Sequence, residues 1–399
     1  MPRPLSEQVV VITGASSGIG RATAKAFGAA GGSVVCAARS EQSLDETVRE
    51  VEQAGGRAVA VPTDVADWHQ VQALAERAVA EFGRIDTWVS NAAVGTFGRA
   101  TDFSPEEVEH VMRVNFFGQV YGMYAALPIM KRTGGGAIIS VASIDAERPM
   151  PLHAPYIASK WAVRGWNHTV RMELEHDDIP VSVTTILPAS IDTPFFRNAL
   201  TRLGGAHAEP LPPVYRPEVV ANVILSNAVK PQREVIVGGS GMVMALGQRI
   251  APRIMDKALT VRGAAFRVQR GSRPDTGTDN LAQPLPGNAA TRGDYEGHVS
   301  RTSVLTSITQ RPIVSKAAAL LAGTAVARRL VQRTGQQGAA DAPGTEPGDA
   351  GAEQIDLTTG APAPTQVPRP TDSTGQHRGQ DQVAVDATTT DSGTADRPV

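Results

Sequence analysis

Residues 9–20, VVVITGASSGIG, join a β-branched run, Val9 to Thr13, to a turn punctuated by Gly14, Gly18 and Gly20. Five such residues stopped by a glycine read as a strand buried on both faces. Past the turn, Ile19, Ala22, Thr23, Ala26, Phe27 and Ala30 recur at i, i+3, i+4, which is helical spacing. A strand, a Gly-rich turn and a helix start make a phosphate cradle: glycine permits the turn and close approach, and the helix N-terminus offers unpaired N–H groups. In this context the glycines predict nucleotide binding.

The same alternation continues outward. SVVCAAR forms a second strand ending in Ala38 and Arg39, a helix spans Glu41 to Ala54, and strand RAVAVP leads to Thr63, Asp64 and Val65. In dinucleotide folds an acid near the end of the second strand binds ribose hydroxyls, whereas an arginine accommodates a 2′-phosphate. Arg39 stands there without an acid, so NADP is expected over NAD; the alternative is a solvated loop arginine. Asp64 either meets the ligand at its strand end or caps the next helix. Helix Trp68 to Phe82 and strand IDTWVS deliver Asn91, Ala92 and Ala93. A long helix from about Ser104 to Met130 opens with a capping box, Ser104 to Glu107, with Pro105 first in the helix. It carries Asn115, a mid-helix asparagine that serves as a structural bridge or a functional one. Strand PVSVTTIL ends at Pro188, and Phe195 to Pro213 is a Gly- and Pro-rich connection expected to act as a lid. Helix Pro217 to Ala228 and strand EVIVGG close the pattern, which argues a doubly wound parallel α/β sheet.

Chemistry concentrates in residues 141–160, VASIDAERPMPLHAPYIASK. Tyr156 and Lys160 lie one helical turn apart on one face. A phenol titrates near ~10, and an ammonium one turn away favours the phenolate, which would make Tyr156 a usable acid or base. Ser143, at the tip of the run AIISVAS, reaches the same space.

Composition fits a soluble globular protein: 399 residues, 41% hydrophobic, 20% charged, formal net charge −2. Such a balance advertises no polyanionic partner, and no nucleic-acid motif or metal-ligand cluster stands out. The single cysteine, Cys36, sits in an apolar strand and can form no internal disulfide, which suits a reducing cytoplasm. The N-terminus has no secretory pattern and no apolar run reaches membrane-spanning length.

Taken together, TGASSGIG at 13–20, Asn91-Ala92-Ala93, Asn115, Ser143, Tyr156 with Lys160, and Pro188 to Thr193 resemble the short-chain dehydrogenase/reductase family in order and spacing, over roughly residues 1–240. The resemblance implies a Rossmann fold with Tyr156 as proton donor or acceptor, Ser143 bonding the same substrate oxygen, and Lys160 tuning the tyrosine and contacting the nicotinamide ribose. Asn115 would hold a water of the proton relay. Gly14, Ser16, Ser17, Gly18, Ile19, Gly20, Arg39, Asp64, Val65, Asn91, Ala92, Pro188, Ile191 and Thr193 would lie along the cofactor. The family usually has glycine at positions 93 and 189, where this chain has alanine, and the extra methyls would crowd the cofactor.

The implied activity is NADP-dependent hydride transfer to or from a carbonyl or secondary alcohol. Met150, Leu152, Phe195, Phe196, Leu200 and Leu203 suggest a lipophilic substrate. The alternatives are a nucleotide-binding scaffold or sensor acting through the C-terminal extension, and a nucleotide-sugar epimerase-like enzyme, whose glycine spacing usually differs. Relatives commonly form dimers or tetramers through the helices carrying Asn115 and Tyr156.

Three segments are expected: a catalytic domain (1–240), a basic, partly helical extension (241–333), and a disordered acidic tail (334–399). Arg249, Arg253, Lys257, Arg262, Arg267, Arg270 and Arg273 face the single Asp256 across 248–273, in one or two amphipathic helices broken at Pro252. These pack on the core or touch an anionic membrane surface. A further helix is expected over Ser315 to Gln332. Beyond Thr334 the chain is poor in apolar residues and cannot offset its ordering entropy.

Overall fold

A computed structural model describes residues 2–261, 265–266, 269–285 and 289–309. The helix expected over Ser315 to Gln332 and the tail after Thr334 lie outside the described residues.

The elements alternate as the periodicity requires: β1 (Val9–Thr13), α1 (Gly18–Ala29), β2 (Ser33–Ala38), α2 (Glu41–Gln53), β3 (Arg57–Pro62), α3 (Trp68–Phe82), β4 (Thr87–Ser90), and the two-residue β5 (Thr96–Phe97). There follow α4 (Pro105–Met112), α5 (Gly118–Arg132), β6 (Gly136–Val141), α6 (Ala154–His176) and β7 (Val181–Pro188). Next come α7 (Phe195–Asn198), β8 (Leu200–Thr201), β9 (Ala206–Ala208), β10 (Val214–Tyr215), α8 (Pro217–Val229), β11 (Glu234–Val237), α9 (Gly239–Ile250), α10 (Pro252–Thr260), β12 (Arg270–Pro274), β13 (Val299–Ser300) and α11 (Val304–Thr309).

Seven strands form one parallel sheet in the order β11-β7-β6-β4-β1-β2-β3. The chain reverses direction of travel across the sheet at β1 and β4, and such switch points open a crevice at the carboxyl ends of the strands. Successive side chains of a strand point to opposite faces, so each face has its own core. Val10 and Ile12 pack with Phe27, Leu44, Val220 and Ile224 on the α1–α2–α8 side. Val11 packs with Leu74, Trp88, Met123 and Leu174 on the α3–α5–α6 side. Cys36, fully buried in β2, belongs to the first of these, and burial pushes its thiol up to about 12.

The long helix expected from Ser104 to Met130 is interrupted. Its capping box is present, with Glu107 N–H donating to Ser104 Oγ at 3.3 Å and Ser104 N–H to Glu107 Oε2 at 2.8 Å. Between α4 and α5 the backbone widens into a π-turn, Arg113–Phe117. Such single π-turns are read as inserted residues in an otherwise regular helix.

Past the sheet, α9 and α10 break at Pro252 as the proline requires, since it stands at the first helical position of α10. Leu246, Ile250 and Ile254 of these helices are exposed beside Arg253 and Lys257. Among the described residues no helix is long and apolar enough to cross a membrane. The polar stretch after Arg270 docks through its backbone. β12 pairs antiparallel with β9, and β13 pairs parallel with β10. The connection Phe195 to Pro213 therefore holds two short strands, β8 tied to β5 and β9 tied to β12, with β10 and its partner β13 just beyond it.

Candidate active site

The crevice at the carboxyl ends of the strands is a cavity of about 310 Å³. Every catalytic and cofactor-binding candidate named from the sequence lines it except Gly20 and Asn115; of the apolar substrate candidates Met150, Phe195 and Phe196 line it, whereas Leu152, Leu200 and Leu203 do not.

Its floor is the turn after β1. A Cβ on Gly20 would lie 2.1 Å from the Gly14 carbonyl, and Gly14 itself takes φ +67°, so both positions demand glycine. The turn is locked from β4: Asn91 Nδ2 donates to the carbonyls of Thr13 (3.0 Å) and Gly14 (3.2 Å). The backbone N–H groups of Asn91 and Ala92 in turn donate to Thr13 Oγ1 at 3.0 and 3.2 Å. Ser17 stands at the N-cap of α1 without capping it by its side chain, and at this anion-favouring helix end Gly18 N–H donates to the Ala290 carbonyl at 3.0 Å. Thr193, beyond the end of β7, abuts Gly18 at 3.2 Å from a Cβ placed there. Val65 packs on Gly118 at the start of α5. Asp64 accepts from Ala66 N–H at 2.9 Å in a tight turn, and the capping of α3 falls to Asp67, which accepts from His69 N–H at 2.8 Å.

This donor set fits a nicotinamide dinucleotide. A helix end with no side-chain cap behind a glycine turn suits the pyrophosphate, and Arg39, beside Asp64 at the end of β2, suits the adenosine end. The two alanines are accommodated. Ala93 and Ala189 line the cavity without closing it. The Ala189 methyl lies against Gly238, where an added Cβ would sit 2.7 Å from it.

The catalytic candidates stand on the opposite wall. Lys160 is fully buried and its Nζ donates to the Val141 carbonyl at 2.9 Å; burial pulls its pKa down to about 7. Its Nζ lies 5.5 Å from the centre of the Tyr156 ring. Burial holds the Tyr156 phenol well above the usual range, the nearby Asp145 carboxylate pushes it further up, and a hydrogen bond with Ser143 works the other way. The lowering of the phenol expected from Lys160 is not found; burial and Asp145 set its direction, with only Ser143 acting against them. Desolvation penalises the phenolate and the ammonium alike.

Asn115 sits back from the cavity, at the π-turn. Its Oδ1 accepts from Val94 N–H (2.8 Å), and its Nδ2 donates to Val94 O (3.0 Å) and Ser159 Oγ (3.1 Å). Ser159 Oγ in turn donates to the Tyr156 carbonyl at 2.6 Å. Asn115 thus fastens the segment after β4 to the helix carrying Tyr156 and Lys160.

Two residues of the wall escaped the sequence reading. Asp145 accepts from Ser143 Oγ at 3.3 Å, and burial raises its carboxyl to about 7. His153 stacks between Phe97 and Tyr156, with ring centres 4.1 and 4.2 Å apart, and its Nδ1 lies 3.8 Å from Asp145. Burial drives its pKa down to about 3. The signal was their spacing: an acid two residues past Ser143, and a histidine three before Tyr156 where a helix begins.

Comparison with known proteins agrees with this geometry. Residues 8–203 match the family model for short chain dehydrogenases. An uncharacterized oxidoreductase, YxnA, of Bacillus subtilis is 39% identical over 323 residues, covering 80% of this chain and 90% of the relative. Among solved structures, a short-chain dehydrogenase/reductase from Burkholderia phymatum in complex with NAD aligns with a TM-score of 0.56 at 25% identity. It covers 62% of this chain and 95% of that one. An alcohol dehydrogenase from Thermococcus sibiricus complexed with 5-hydroxy-NADP aligns with a TM-score of 0.51 at 28% identity, covering 58% and 95%. With the sheet order, the glycine turn and the buried Tyr156–Lys160 pair in place, the chain belongs to the short-chain dehydrogenase/reductase family, whose members are oxidoreductases using a nicotinamide cofactor.

Proposed function

We propose that this chain is an NADP-dependent oxidoreductase acting on a carbonyl or secondary alcohol of a lipophilic substrate. The observation that carries the reading is the meeting of Ser143, Tyr156 and Lys160 on one wall of a cavity whose floor is the glycine turn. When bound, the cofactor supplies or accepts the hydride at the substrate carbon. Tyr156 Oη gives the proton to the substrate oxygen in reduction and takes it in oxidation, while Ser143 Oγ orients that oxygen. Lys160 Nζ, with a pKa near neutrality, is suited to pass the proton on. Phe97, Met150, Phe195, Leu211 and Met244 also line the cavity and exclude water from the reacting atoms, which favours an apolar substrate. Arg39, with no acid at the end of β2, favours the 2′-phosphate of NADP.

Replacing Tyr156 by Phe keeps the ring stack and removes only the proton donor. We expect nicotinamide dinucleotide binding to persist, by fluorescence titration, and turnover on a panel of lipophilic ketones and alcohols to fall roughly 10²-fold or more. Near-normal turnover in that variant would overturn the assignment of Tyr156. A panel in which only small charged compounds react would overturn the substrate class. The same reading extends to assembly. Phe117, Tyr124, Trp161 and Met172 are exposed on α5, α6 and the adjoining π-turn, and we take this aromatic face as the surface of self-association.

A further inference from the structure

Arg39 is not free in this structure. Its Nη2 donates to the Asn280 carbonyl at 2.5 Å, and its Nη1 donates to the carbonyls of Leu281 (3.3 Å) and Ala282 (3.0 Å). His110 Nε2, on α4, donates to the Leu281 carbonyl at 2.7 Å, so that nitrogen carries the proton. Asn280 N–H reaches across to the Asn198 carbonyl at 2.9 Å, and the Leu281 side chain is buried in the core on the α3–α5 side. Pro284 and Leu285 then line the cavity. Farther along, the Ala290 carbonyl accepts from Gly18 N–H at 3.0 Å, at the N-terminus of α1.

The two places where the site presents positive charge to a dinucleotide, the guanidinium of Arg39 and the start of α1, are thus both met by backbone carbonyls of the C-terminal extension. Carbonyl oxygens are neutral acceptors. A phosphate dianion adds full opposite charge and presents oxygens that match the guanidinium fork bidentately, so it binds Arg39 more strongly than a carbonyl does. A 2′-phosphate therefore displaces the carbonyls from Arg39, whereas a bare ribose hydroxyl does not.

We propose that residues 279–285 are a tethered competitor for Arg39, released by NADP and left in place by NAD, so that the extension sets the enzyme's cofactor discrimination. The proposal rests on the nicotinamide reading above and goes beyond it. Holding Arg39 lowers the apparent affinity for NADP by the fraction of molecules in which the segment is latched. NAD, which does not need Arg39, escapes that penalty. Both dinucleotides meet the Ala290 carbonyl at α1 equally, so that contact does not discriminate.

The test compares NADP and NAD dissociation constants, by fluorescence titration of the full chain, in the wild type and in Leu281→Ser. Leu281 anchors the segment without lining the cavity. The variant is expected to bind NADP roughly tenfold more tightly, the equivalent of one released charge-assisted bond, with NAD affinity unchanged within about twofold. Should Leu281→Ser fail to fold, His110→Ala removes one bond to the same carbonyl and is expected to shift the ratio in the same direction. In the wild type, hydrogen exchange at the amides of Asn280 and Leu281 is expected to quicken with saturating NADP and to stay slow with NAD. An unchanged NADP-to-NAD ratio in a folded variant, or equal protection with both cofactors, overturns the competitor. Failure of both cofactors to bind the wild type overturns the nicotinamide reading itself, and the competitor with it.

Discussion

Asp145 and His153 titrate in opposite senses, and their closeness hides both. The native state keeps a proton on Asp145 up to about pH 7, whereas the unfolded carboxyl, at 3.8, has already released it. Asp145 alone therefore makes stability fall as pH rises between those values. Buried His153 refuses a proton down to about pH 3, whereas the unfolded imidazole takes one below 6.5. His153 alone makes stability rise with pH across that window. Through the overlap, one proton gained offsets one lost. Asp145→Asn is expected to unmask the histidine, so that its stability relative to wild type climbs from pH 4 to 6.5 by about 1.4 kcal/mol per pH unit. His153→Phe keeps the stack and is expected to show the reverse slope. Thermal unfolding from pH 4 to 7 checks both, and parallel curves for the wild type and the two variants would sink the pairing. The proposed catalytic trio, Ser143, Tyr156 and Lys160, was legible because its spacing is fixed along one strand tip and one helix. The partners of the trio were not, because what a side chain faces from across a cavity depends on loops that carry no period.

At the scale of elements, the sequence signalled a helix across residues 104–130 and missed its insertion, since a π-turn keeps the helical run of side chains and changes only backbone spacing. Within the turn Asn115 grips both backbone groups of Val94. Asn115→Ala would leave the Val94 N–H and carbonyl buried without partners. The expected cost is about 2–4 kcal/mol in urea unfolding, with a lower midpoint and an unchanged slope. A loss below about 0.5 kcal/mol would show that water replaces the side chain. The connection Phe195 to Pro213 was read as a lid from its glycines and prolines. Its short strands were invisible in advance because they are two or three residues long and their partners, β5 and β12, are a two-residue strand and a stretch whose composition is that of a loop. What docks that stretch is main-chain pairing and buried Leu281, and neither leaves a hydrophobic period.

For the whole molecule, the doubly wound parallel sheet was legible because each strand is a compact apolar run and each helix carries a stripe, whereas the strand order comes from the structure. The outer surface was less legible. The aromatic face of Phe117 and Tyr124 on one side and Trp161 and Met172 on the other follows helical spacing, and Tyr124 touches Trp166 with ring centres 6.1 Å apart. We expect the full chain to run as a dimer or tetramer in light scattering, and a Tyr124→Glu, Met172→Glu double variant to run as a monomer. A monomeric wild type would end that proposal.

The family model stops at residue 203, yet the cavity wall continues through Leu211, Met244, Gln269 and Leu285. The boundary drawn by kinship therefore runs through the middle of the reaction chamber. Ser143, Tyr156 and Lys160 lie on the early side of it, and apolar wall residues lie on both, Phe97, Met150 and Phe195 before it and Leu211 and Met244 after it. A chimera that exchanges everything after residue 203 with a relative's equivalent would inherit only part of that relative's taste in substrates while keeping this chain's proton machinery.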